Sequence, residues 1–348
     1  MSVRDERRRA GRVTGRLAVP GRLERPERSG AARAAGILLG AAADAVFADP
    51  RRGHPVAGFG AYALALENRL YAPSRPRGAL FAALAVAAPV AGAAVAERAA
   101  RGRPLLQLGV TAVATWACLG GTSLAREGAL MERALAAGDL AAARERLSHL
   151  CARDPSGLQA PELARATVES LAENSSDATV APLVWAAVAG APGVVAYRVV
   201  NTLDAMVGYR SRRYEQFGWA SARLDDAANL VPARLTAGLT VALAPLVGGS
   251  RGATWATLRR DGAHHPSPNA GPVEAAAAGA LGVRLGGANV YAGEQEQRPV
   301  LGGDGRSPQV ADIPRAVRLG RAVSLSAVAV AAATALALGR RRRSCGVR

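Results

Sequence analysis

The sequence contains no lysine, and all 44 of its basic residues are arginine. Reactions that need a lysine Schiff base, or a phosphate-binding loop with its lysine, are therefore excluded. A phosphorylated substrate has to be held by arginine, by backbone N–H groups or by a metal ion. Compositional bias of the genome is the simplest reason for the missing lysine, but these chemical consequences hold whatever its cause.

Aromatic residues and cysteines are also scarce. The chain is 50% hydrophobic but only 4% aromatic, so its apolar residues are mostly the small and aliphatic ones that let membrane helices approach closely. Nucleic-acid binding is not expected despite a net charge of +17, because few rings are present to stack on bases. The three cysteines, Cys118, Cys151 and Cys345, have no metal-ligand spacing and indicate reduced structural thiols.

The positive charge is concentrated at the two ends of the chain. Ten arginines lie within residues 1–33, and four more follow one another at 340–343. Both groups flank apolar runs, as basic residues attracted to anionic lipid do, and the polar start does not resemble a cleavable signal peptide. We expect a disordered arm at 1–30, a membrane domain at 31–339 and a basic tail at 340–348.

Six apolar runs, long or nearly long enough to cross a bilayer, carry few or no charges. A membrane-spanning helix needs about 20 such residues. The first run contains Asp44, and the fifth is the weakest because it is short and carries Pro245. We therefore expect an all-α, polytopic integral membrane protein, with both basic termini in the cytoplasm and an even number of crossings. The runs are at 34–48, 78–96, 104–125, 178–197, 235–250 and 322–339.

The run at 178–197 is interrupted in its middle by "AGAPG", in which Pro192 lies beside two glycines. Proline in this setting breaks a helix. A broken segment can cross with a kink or re-enter as a hairpin, provided that protein covers its irregular backbone. We expect a broken helix pair, and re-entry would return Asp204 to the side that carries Asp177.

Two regions between the apolar runs are polar. An amphipathic stretch within 126–177 predicts a soluble helical hairpin broken at Gly138–Asp139. Residues 259–315 are rich in glycine and proline, which predicts a large loop region with one short alanine-rich helix near 273–281.

Three carboxylates, Glu169, Glu173 and Asp177, recur at intervals of four residues before the broken run. On a helix they share one face, where like charges repel one another. Such a face calls for a cation, and hard oxygen ligands suit Mg²⁺. A solvated acidic face is the alternative, but Asn174 and Ser175 add polar groups at the point where the apolar run begins.

A second polar cluster follows the broken run. Its acids and amides are spaced one helical turn apart, Gly208 permits a sharp turn, and the arginines that follow are suited to pairing with these acids or holding phosphate. A purely structural salt-bridge network is the alternative. The candidates are Asn201, Asp204, Tyr209, Arg210, Arg213, Asp225 and Asn229.

Two proline-stiffened loops complete the set. "RRDGAHHPSPNAGP" at 259–272 orders polar groups on a rigid backbone, which favours a ligand-binding loop, and its adjacent histidines point apart and cannot easily chelate one ion. "DAVFADPRRGHP" at 44–55 places acids at the edge of an apolar helix, where ionisable groups are functional candidates. The candidates are Arg259, Asp261, His265 and Asn269 in the first loop and Asp44, Asp49 and His54 in the second.

These stretches together resemble the membrane-bound CobD/CbiB family of adenosylcobinamide-phosphate synthases. The similar motifs appear in family order over roughly residues 34–339. They are "DAVFADPRRGHPVAGFG", "ESLAENSSDATVAPLVWAAVAGAPG", "YRVVNTLDAMVGYR", "FGWASARLDDAANLVPARLT" and "DGAHHPSPNAGPVEAAAAGALGVRLGG".

The resemblance implies a C–N bond-forming ligase that consumes ATP. Its substrates would be adenosylcobyric acid and (R)-1-aminopropan-2-ol or its O-phosphate, and its product adenosylcobinamide or adenosylcobinamide phosphate. The corrinoid is thus a substrate, while ATP and Mg²⁺ have no standard motif here. The resemblance also implies a multi-pass protein of the cell membrane, an active site facing the cytoplasm, and other cobalamin-pathway enzymes as further partners.

Amide formation needs an activated carboxylate, a deprotonated amine and stabilised phosphates. We expect Glu169, Glu173 and Asp177 to bind Mg²⁺ or the amine, with Glu173 also catalytic, and Asp204 or His265 to act as the base. Arg210, Arg213 and Arg259 would hold phosphate groups. The remaining substrate-binding candidates are Asp44, Asp49, His54, Asn174, Ser175, Asn201, Tyr209, Asp225, Asn229, Asp261 and Asn269.

Two other functional classes fit parts of the pattern. A broken helix with polar flanks is typical of secondary transporters, but these are built from two related halves and no internal repeat is apparent. A non-catalytic membrane scaffold for late cobalamin enzymes would need neither aligned carboxylates nor ordered polar loops. Whether activation proceeds by acyl phosphate or acyl adenylate stays open.

Overall fold

The computed structural model describes residues 25–344, apart from 51–52, 152, 210 and 292–293. The described residues thus leave out most of the expected arm and the end of the expected tail. They also leave out Arg210, one of the candidate site residues. A π-helical turn joins two of the helices, and a short 3₁₀ turn follows the tenth. The elements are α1 (Arg25–Phe47), α2 (Pro55–Leu70), α3 (Arg75–Ala99), α4 (Pro104–Cys118), α5 (Gly121–Ala136), α6 (Leu140–Leu147), α7 (Ala160–Ser175), the π turn (Ser176–Val180), α8 (Ala181–Val207), α9 (Tyr214–Phe217), α10 (Trp219–Leu243), the 3₁₀ turn (Ala244–Val247), α11 (Arg251–Asp261), α12 (Ala270–Leu281), β1 (Leu285–Tyr291), β2 (Glu294–Leu301) and α13 (Asp312–Ser344).

Six helical segments of the described chain are long and apolar enough to cross a membrane. Each overlaps one of the six apolar runs, so the expectation of an all-α polytopic membrane protein is confirmed. The first and last helices are longer than expected, because α1 begins at Arg25 and α13 continues to Ser344. The segments are Ser29–Phe47, Arg75–Ala99, Pro104–Ala136, Ala160–Val207, Trp219–Val247 and Asp312–Arg340.

Small residues set the spacing of α1 against its neighbours. A Cβ atom added at Gly36 would lie 2.6 Å from the Cβ of Thr111 on α4, and one at Gly40 would lie 2.7 Å from the carbonyl oxygen of Ala112. At the other end of α1, Gly30 faces the backbone of Gly339 on α13 with a similarly short approach of 2.8 Å. Close backbone contact of this kind supplies dispersion between helices that gain little from hydrophobic burial in lipid.

The chain reverses direction at Gly190, within α8. Gly190 has φ 69° and ψ −151°, a conformation that essentially only glycine adopts, and Pro192 follows it. The arm after the reversal runs back along the arm before it, so that Nδ2 of Asn201 lies 3.2 Å from Oδ2 of Asp177. The expected broken helix is thus present, and it brings the two polar flanks of the apolar run together.

The polar regions are partly as expected. The amphipathic stretch breaks between α5 and α6 at Gly138, which has φ 72°, and Asp139 caps α6 by accepting a hydrogen bond from the N–H of Ala142 at 2.9 Å. The region 259–315 contains α12, close to the expected short helix near 273–281. The expectation of a loop is wrong for residues 285–301. These form an antiparallel hairpin of β1 and β2, whose glycines and proline are the residues that suggested a loop.

A buried ion pair fastens this hairpin to α7. The carboxylate of Glu169 accepts a hydrogen bond from Arg153 at 2.5 Å and another from the N–H of Gly286 at 2.7 Å. Arg165, one turn before Glu169, donates to the carbonyl oxygens of Gly286 and Ala288. Both carboxylate oxygens of Glu169 thus take part in hydrogen bonds, and one of these bonds attaches the hairpin to α7.

Glu274 lies beside this ion pair on α12 and is only 2% exposed. Burial, followed by the charges of Glu169 and Glu173, raises the pKa of Glu274 well above its ordinary value, while Arg298 and Arg153 act in the opposite direction. A carboxyl with a raised pKa binds its proton more tightly in the folded state. Its contribution to stability is complete below the ordinary pKa of 4.5 and is lost as the pH rises towards the folded value.

We predict that Gly190→Ala destabilises the protein by about 1–3 kcal/mol, because alanine is strained in this conformation. The added Cβ would also lie 2.7 Å from both carboxylate oxygens of Glu97. The measurement is thermal unfolding of the detergent-solubilised protein. Gly92→Ala on α3, where a Cβ meets nothing within 4 Å, is the matched control and should be neutral or slightly stabilising. Equal stability of the two variants would refute the role of the reversal.

We predict that Glu274→Gln makes stability less sensitive to pH. The unfolding temperature of the wild type should fall relative to that of the variant between pH 5 and pH 8, because only the wild type has to release this proton. Glu145→Gln, an exposed carboxylate on α6, serves as the control. Parallel pH curves for wild type and Glu274→Gln would show that Glu274 does not hold a proton in the folded protein.

Candidate functional site

A polar cavity of about 360 Å³ lies where two of the membrane-spanning segments, Ala160–Val207 and Trp219–Val247, meet the proline-stiffened loop. Helix α7 with its π turn, the second arm of α8, the start of α10, the loop before α12 and strand β2 all contribute to its walls. The lining residues are Glu173, Ser176, Asp177, Asp204, Gly208, Ala222, Asp225, Asp226, Asn229, His265, Pro266, Ser267, Pro268, Asn269, Ala270, Val273 and Arg298.

The cavity is strongly acidic. Glu173 and Asp177 come from α7 and its π turn, Asp204 from α8, and Asp225 and Asp226 from α10. Among the described residues, the cavity walls set one guanidinium group, that of Arg298 on β2, against these five carboxylates. Like charges held this close repel one another, so the cavity favours a positively charged occupant.

Asparagine side chains hold part of this acidic wall together. Nδ2 of Asn201 donates to Asp177 and to Asp225, at 3.2 Å in each case, and so bridges the two carboxylates. Nδ2 of Asn229 donates to the other oxygen of Asp225 at 3.0 Å, and Oδ1 of Asn229 accepts from the hydroxyl of Tyr197 at 2.9 Å. This network orients the carboxylates of Asp177 and Asp225.

The π turn explains why Asp177 joins this wall. A π-helical turn inserts one extra residue into the helix and shifts the faces that follow it, and such turns are frequent at functional sites. Here it lies at Ser176–Val180, directly after the α-helical repeat that carries Glu173. Asp177 therefore faces the returning arm of α8 and Asn201, while Thr179 points towards α13, where its hydroxyl lies 3.1 Å from Oγ of Ser324.

The proline-stiffened loop closes the opposite wall and is itself ordered by hydrogen bonds. Nδ1 of His265 accepts from the N–H of Ser267 at 3.0 Å, and the hydroxyl oxygen of Ser267 accepts from the N–H groups of Asn269 and Ala270 at the start of α12. Asn269 then ties the loop to α10, because its Nδ2 donates to the carbonyl oxygen of Asp226 at 2.8 Å.

The donor set of the cavity fits a magnesium ion that keeps part of its water shell. The carboxylate and amide oxygens are the hard ligands that Mg²⁺ prefers, and Mg²⁺ is commonly held by one or two carboxylates together with waters and substrate phosphates. In the described part of the chain no three His, Cys, Asp or Glu side chains form a ready-made metal site. Asp177 and Asp225, joined by Asn201, are the pair best placed to hold such an ion.

The loop after α1 forms a separate cluster beside the π turn. The carboxylate of Asp44 accepts hydrogen bonds from the N–H and the hydroxyl of Thr122, at 3.1 and 3.0 Å. Oδ1 of Asp49 lies 3.3 Å from Nε2 of His54. The other ring nitrogen of His54, Nδ1, caps α2 by accepting a hydrogen bond from the N–H of Val56. None of the acidic or histidine residues of this cluster lines the acidic cavity, so the two predicted groups of substrate-binding residues are distinct.

Several expected site residues do not line the acidic cavity and make other contacts. Glu169 pairs with Arg153, and Nδ2 of Asn174 donates to two backbone carbonyls. Arg260 holds the pKa of the Asp261 carboxyl below its usual range through a hydrogen bond, and Asp261 also binds the N–H of Gly302.

Two of the expected phosphate-binding arginines, Arg213 and Arg259, also lie away from the cavity. Arg213 stacks on the ring of Tyr71 at 4.0 Å and pairs with Glu67 at 3.0 Å, while Arg259 is exposed on α11. Tyr209 is 50% exposed after α8, and Ser175 points into a different cavity. The expectations for Arg213 and Arg259 are thus not supported by their positions.

Sequence reasoning missed the guanidinium group that does line the cavity. Arg298 lies on β2, in a segment interpreted as loop, and no local pattern distinguishes it from the other arginines of the chain. Only the pairing of β1 with β2 and the attachment of the hairpin to α7 bring it to the acidic wall. Asp226, which follows Asp225 among the regularly spaced polar residues of the second cluster, also lines the cavity.

Comparison with known proteins identifies relatives over most of this chain. Residues 37–320 match the CobD/Cbib protein family. The chain is 56% identical over 297 residues to "Cobalamin biosynthesis protein CobD" of Mycobacterium tuberculosis, an alignment that covers 85% of this chain and 93% of the relative. Proteins of the same name from Geobacter metallireducens and Chromobacterium violaceum are 47% identical over 271 residues and 45% identical over 282 residues.

These two alignments cover 76% and 79% of this chain and 85% and 88% of the relatives. No solved structure is significantly similar to the chain. The family match spans α1 to α13, including every element that lines the acidic cavity. On these grounds the chain belongs to the CobD/CbiB family of cobalamin biosynthesis proteins.

Proposed function

We propose that this protein catalyses ATP-dependent amide-bond formation between a propionate of adenosylcobyric acid and (R)-1-aminopropan-2-ol or its O-phosphate. The product is adenosylcobinamide or its phosphate. The observation that carries the proposal is the convergence of five carboxylates, bridging amides and one arginine from four separate parts of the chain on a single cavity. The family membership supports the same pathway.

An acidic cavity suits the amine partner of this reaction. The amino alcohol carries an ammonium group at neutral pH, and the carboxylates attract it and hold it by charge-assisted hydrogen bonds. The amine becomes a nucleophile only after it loses a proton, and Asp204, which lines the cavity, is the residue proposed to accept that proton. His265 is the second candidate for this role, since it lies across the cavity in the ordered loop.

The corrinoid carboxylate must carry a leaving group before the amine attacks. The carboxylate oxygen attacks a phosphorus atom of ATP, and a P–O bond of ATP breaks. Transfer of a phosphoryl unit releases ADP, whereas transfer of an adenylyl unit releases pyrophosphate. The amine nitrogen then attacks the acyl carbon, the C–N bond forms, the C–O bond to the leaving group breaks, and phosphate or AMP departs. The role of the protein is to hold both reactants in line and to exclude water from the activated acid.

Mg²⁺, when bound, offsets the negative charge of the ATP phosphates and of the leaving group. Asp177 and Asp225 are the residues proposed to hold it, with Asn201 keeping their orientation. Arg298 is proposed to bind a phosphate group, because the chain has no lysine to do so and Arg298 is the arginine that lines the cavity in the described part of the chain. Since ATP is supplied from the cytoplasm, we place the cavity at the cytoplasmic face of the membrane. The basic ends of α1 and α13, where Gly30 faces Gly339, then lie at the opposite face, against the expectation that both termini are cytoplasmic.

We predict that Asp204→Asn lowers the rate of amide formation by about 10²-fold or more, because the amide cannot accept the proton. The assay incubates the solubilised protein with adenosylcobyric acid, ATP, Mg²⁺ and each candidate amine, and identifies products and nucleotide by mass spectrometry. Asp304→Asn is the matched control, since Asp304 is 88% exposed and does not line the cavity. Full activity of Asp204→Asn would remove this residue from the mechanism, and absence of product from the wild type with every amine would overturn the proposed reaction.

We predict that Arg298→Gln raises the KM for ATP or for the phosphorylated amine by about tenfold, because one charge-assisted contact to phosphate is lost. Steady-state kinetics with free and phosphorylated amine show which substrate the arginine binds. Arg284→Gln, an exposed arginine just before β1, is the control for the removal of a positive charge. An unchanged KM for both substrates would leave Arg298 with only a structural role.

A further inference from the structure

A second cavity, of about 290 Å³, lies between α1, α5, α13 and the stretch from the end of α7 through the π turn to the start of α8. It is separate from the acidic cavity, because Ser175 and Thr179 face it while Ser176 and Asp177 face the other. Its walls are largely apolar, with polar side chains in one part. The lining residues are Ala41, Asp44, Ala45, Leu119, Gly121, Thr122, Leu124, Ala125, Leu171, Ser175, Thr179, Leu183, Ala316, Val317, Gly320, Arg321, Ser324, Leu325 and Val328.

Asp44 is the acidic group of this cavity, and its hydrogen bonding is incomplete. The side chain is 8% exposed, and Thr122 donates both of its hydrogen bonds to Oδ2. Oδ1 is buried and has no hydrogen-bond partner among the described residues. A buried carboxylate oxygen without a donor is costly, so the site favours an occupant that brings one.

Arg321 supplies a charge of the opposite sign in the same cavity. Its guanidinium forms no hydrogen bond or ion pair within the described part of the chain, and it is exposed. It lies one residue after Gly320, which contacts Ser175, so it is near the level of the π turn. The cavity thus presents the carboxyl group of Asp44 and the guanidinium of Arg321, and these two side chains do not form an ion pair with each other.

The apolar walls extend from these charges into the bilayer. Val328 lies two helical turns beyond Arg321, or about 10 Å along α13. This is the direction in which α13 crosses the membrane, because Gly339 packs against Gly30 at the far end of α1. Leu183 and Leu325 line the same stretch, and Leu325 is 72% exposed, so the cavity opens towards lipid.

We propose that this cavity binds a membrane phospholipid whose headgroup carries a primary ammonium, as in phosphatidylethanolamine. The ammonium donates to the carboxylate of Asp44, the phosphate lies beside Arg321, and an acyl chain follows Leu183, Leu325 and Val328. A choline headgroup has no N–H to donate, and a glycerol headgroup brings no cation. A bound lipid would contact Ser175 and Thr179 and so brace the turn that carries Asp177.

The test is native mass spectrometry of the full-length protein in detergent, after exposure to equal amounts of phosphatidylethanolamine, phosphatidylcholine and phosphatidylglycerol with identical acyl chains. We expect phosphatidylethanolamine to be retained about tenfold more than the other two, which is the effect of one charge-assisted hydrogen bond. Asp44→Asn should abolish this preference while keeping the shape of the side chain. Asp49→Asn, an acid outside the cavity near the same end of α1, should keep it.

A second variant tests the acyl-chain part without altering charge. Leu325→Trp partly fills the open side of the cavity and should lower retention of all three lipids at this site, with the thermal unfolding profile confirming that the variant is folded. Equal retention of the three lipids by the wild type, or an unchanged preference in Asp44→Asn, would overturn the proposal. Displacement of the lipid by free ethanolamine at equal concentration would overturn it as well, since the acyl chain would then contribute nothing.

Discussion

The reversal of the backbone at Gly190 is the constraint on which the acidic cavity depends. It folds one apolar stretch into two antiparallel arms, so that residues on either side of the stretch meet. Backbone that turns inside a membrane must be covered by protein, and at this turn the pair formed by Arg33 and Glu97, at 3.0 Å, lies over Gly190. Without the reversal, Asp177 and Asn201 would be separated by the length of the segment.

Charge is handled differently on the two sides of α7. Towards the β-hairpin, Glu169 is neutralised by Arg153 and bound to backbone, which makes it part of the framework. Towards α10, Asp177 and Asp225 are hydrogen-bonded to the neutral amides of Asn201 and Asn229. The framework thus uses ion pairs, whereas the acidic cavity is lined by five carboxyl groups and, among the described residues, one guanidinium.

The local spacing of polar residues predicted much of this cavity. Glu173, Asp177, Asp204, Asp225, Asn229, His265 and Asn269 all line it, as expected from their positions in motifs on four segments. The spacing of residues along a helix did not predict the position of a side chain whose partner comes from a distant part of the chain. Glu169 shares a helical face with Glu173, yet Arg153 and the hairpin cover it. Arg213 was expected to hold phosphate, yet Glu67 and Tyr71 from α2 and its end bind it.

The sequence by itself determined the membrane-spanning helices, the break near Pro192 and the helix-borne acids of the cavity, because hydropathy, helical period and the backbone limits of proline and glycine act locally. Tertiary structure decided which acids line the cavity and which form ion pairs elsewhere. It brought Arg298 to the cavity on a hairpin whose glycine and proline content had predicted a loop. It also separated the Asp44 cluster from the acidic cavity. These outcomes depend on contacts between residues far apart in the chain, and pairings of that kind leave no trace in the order of neighbouring residues.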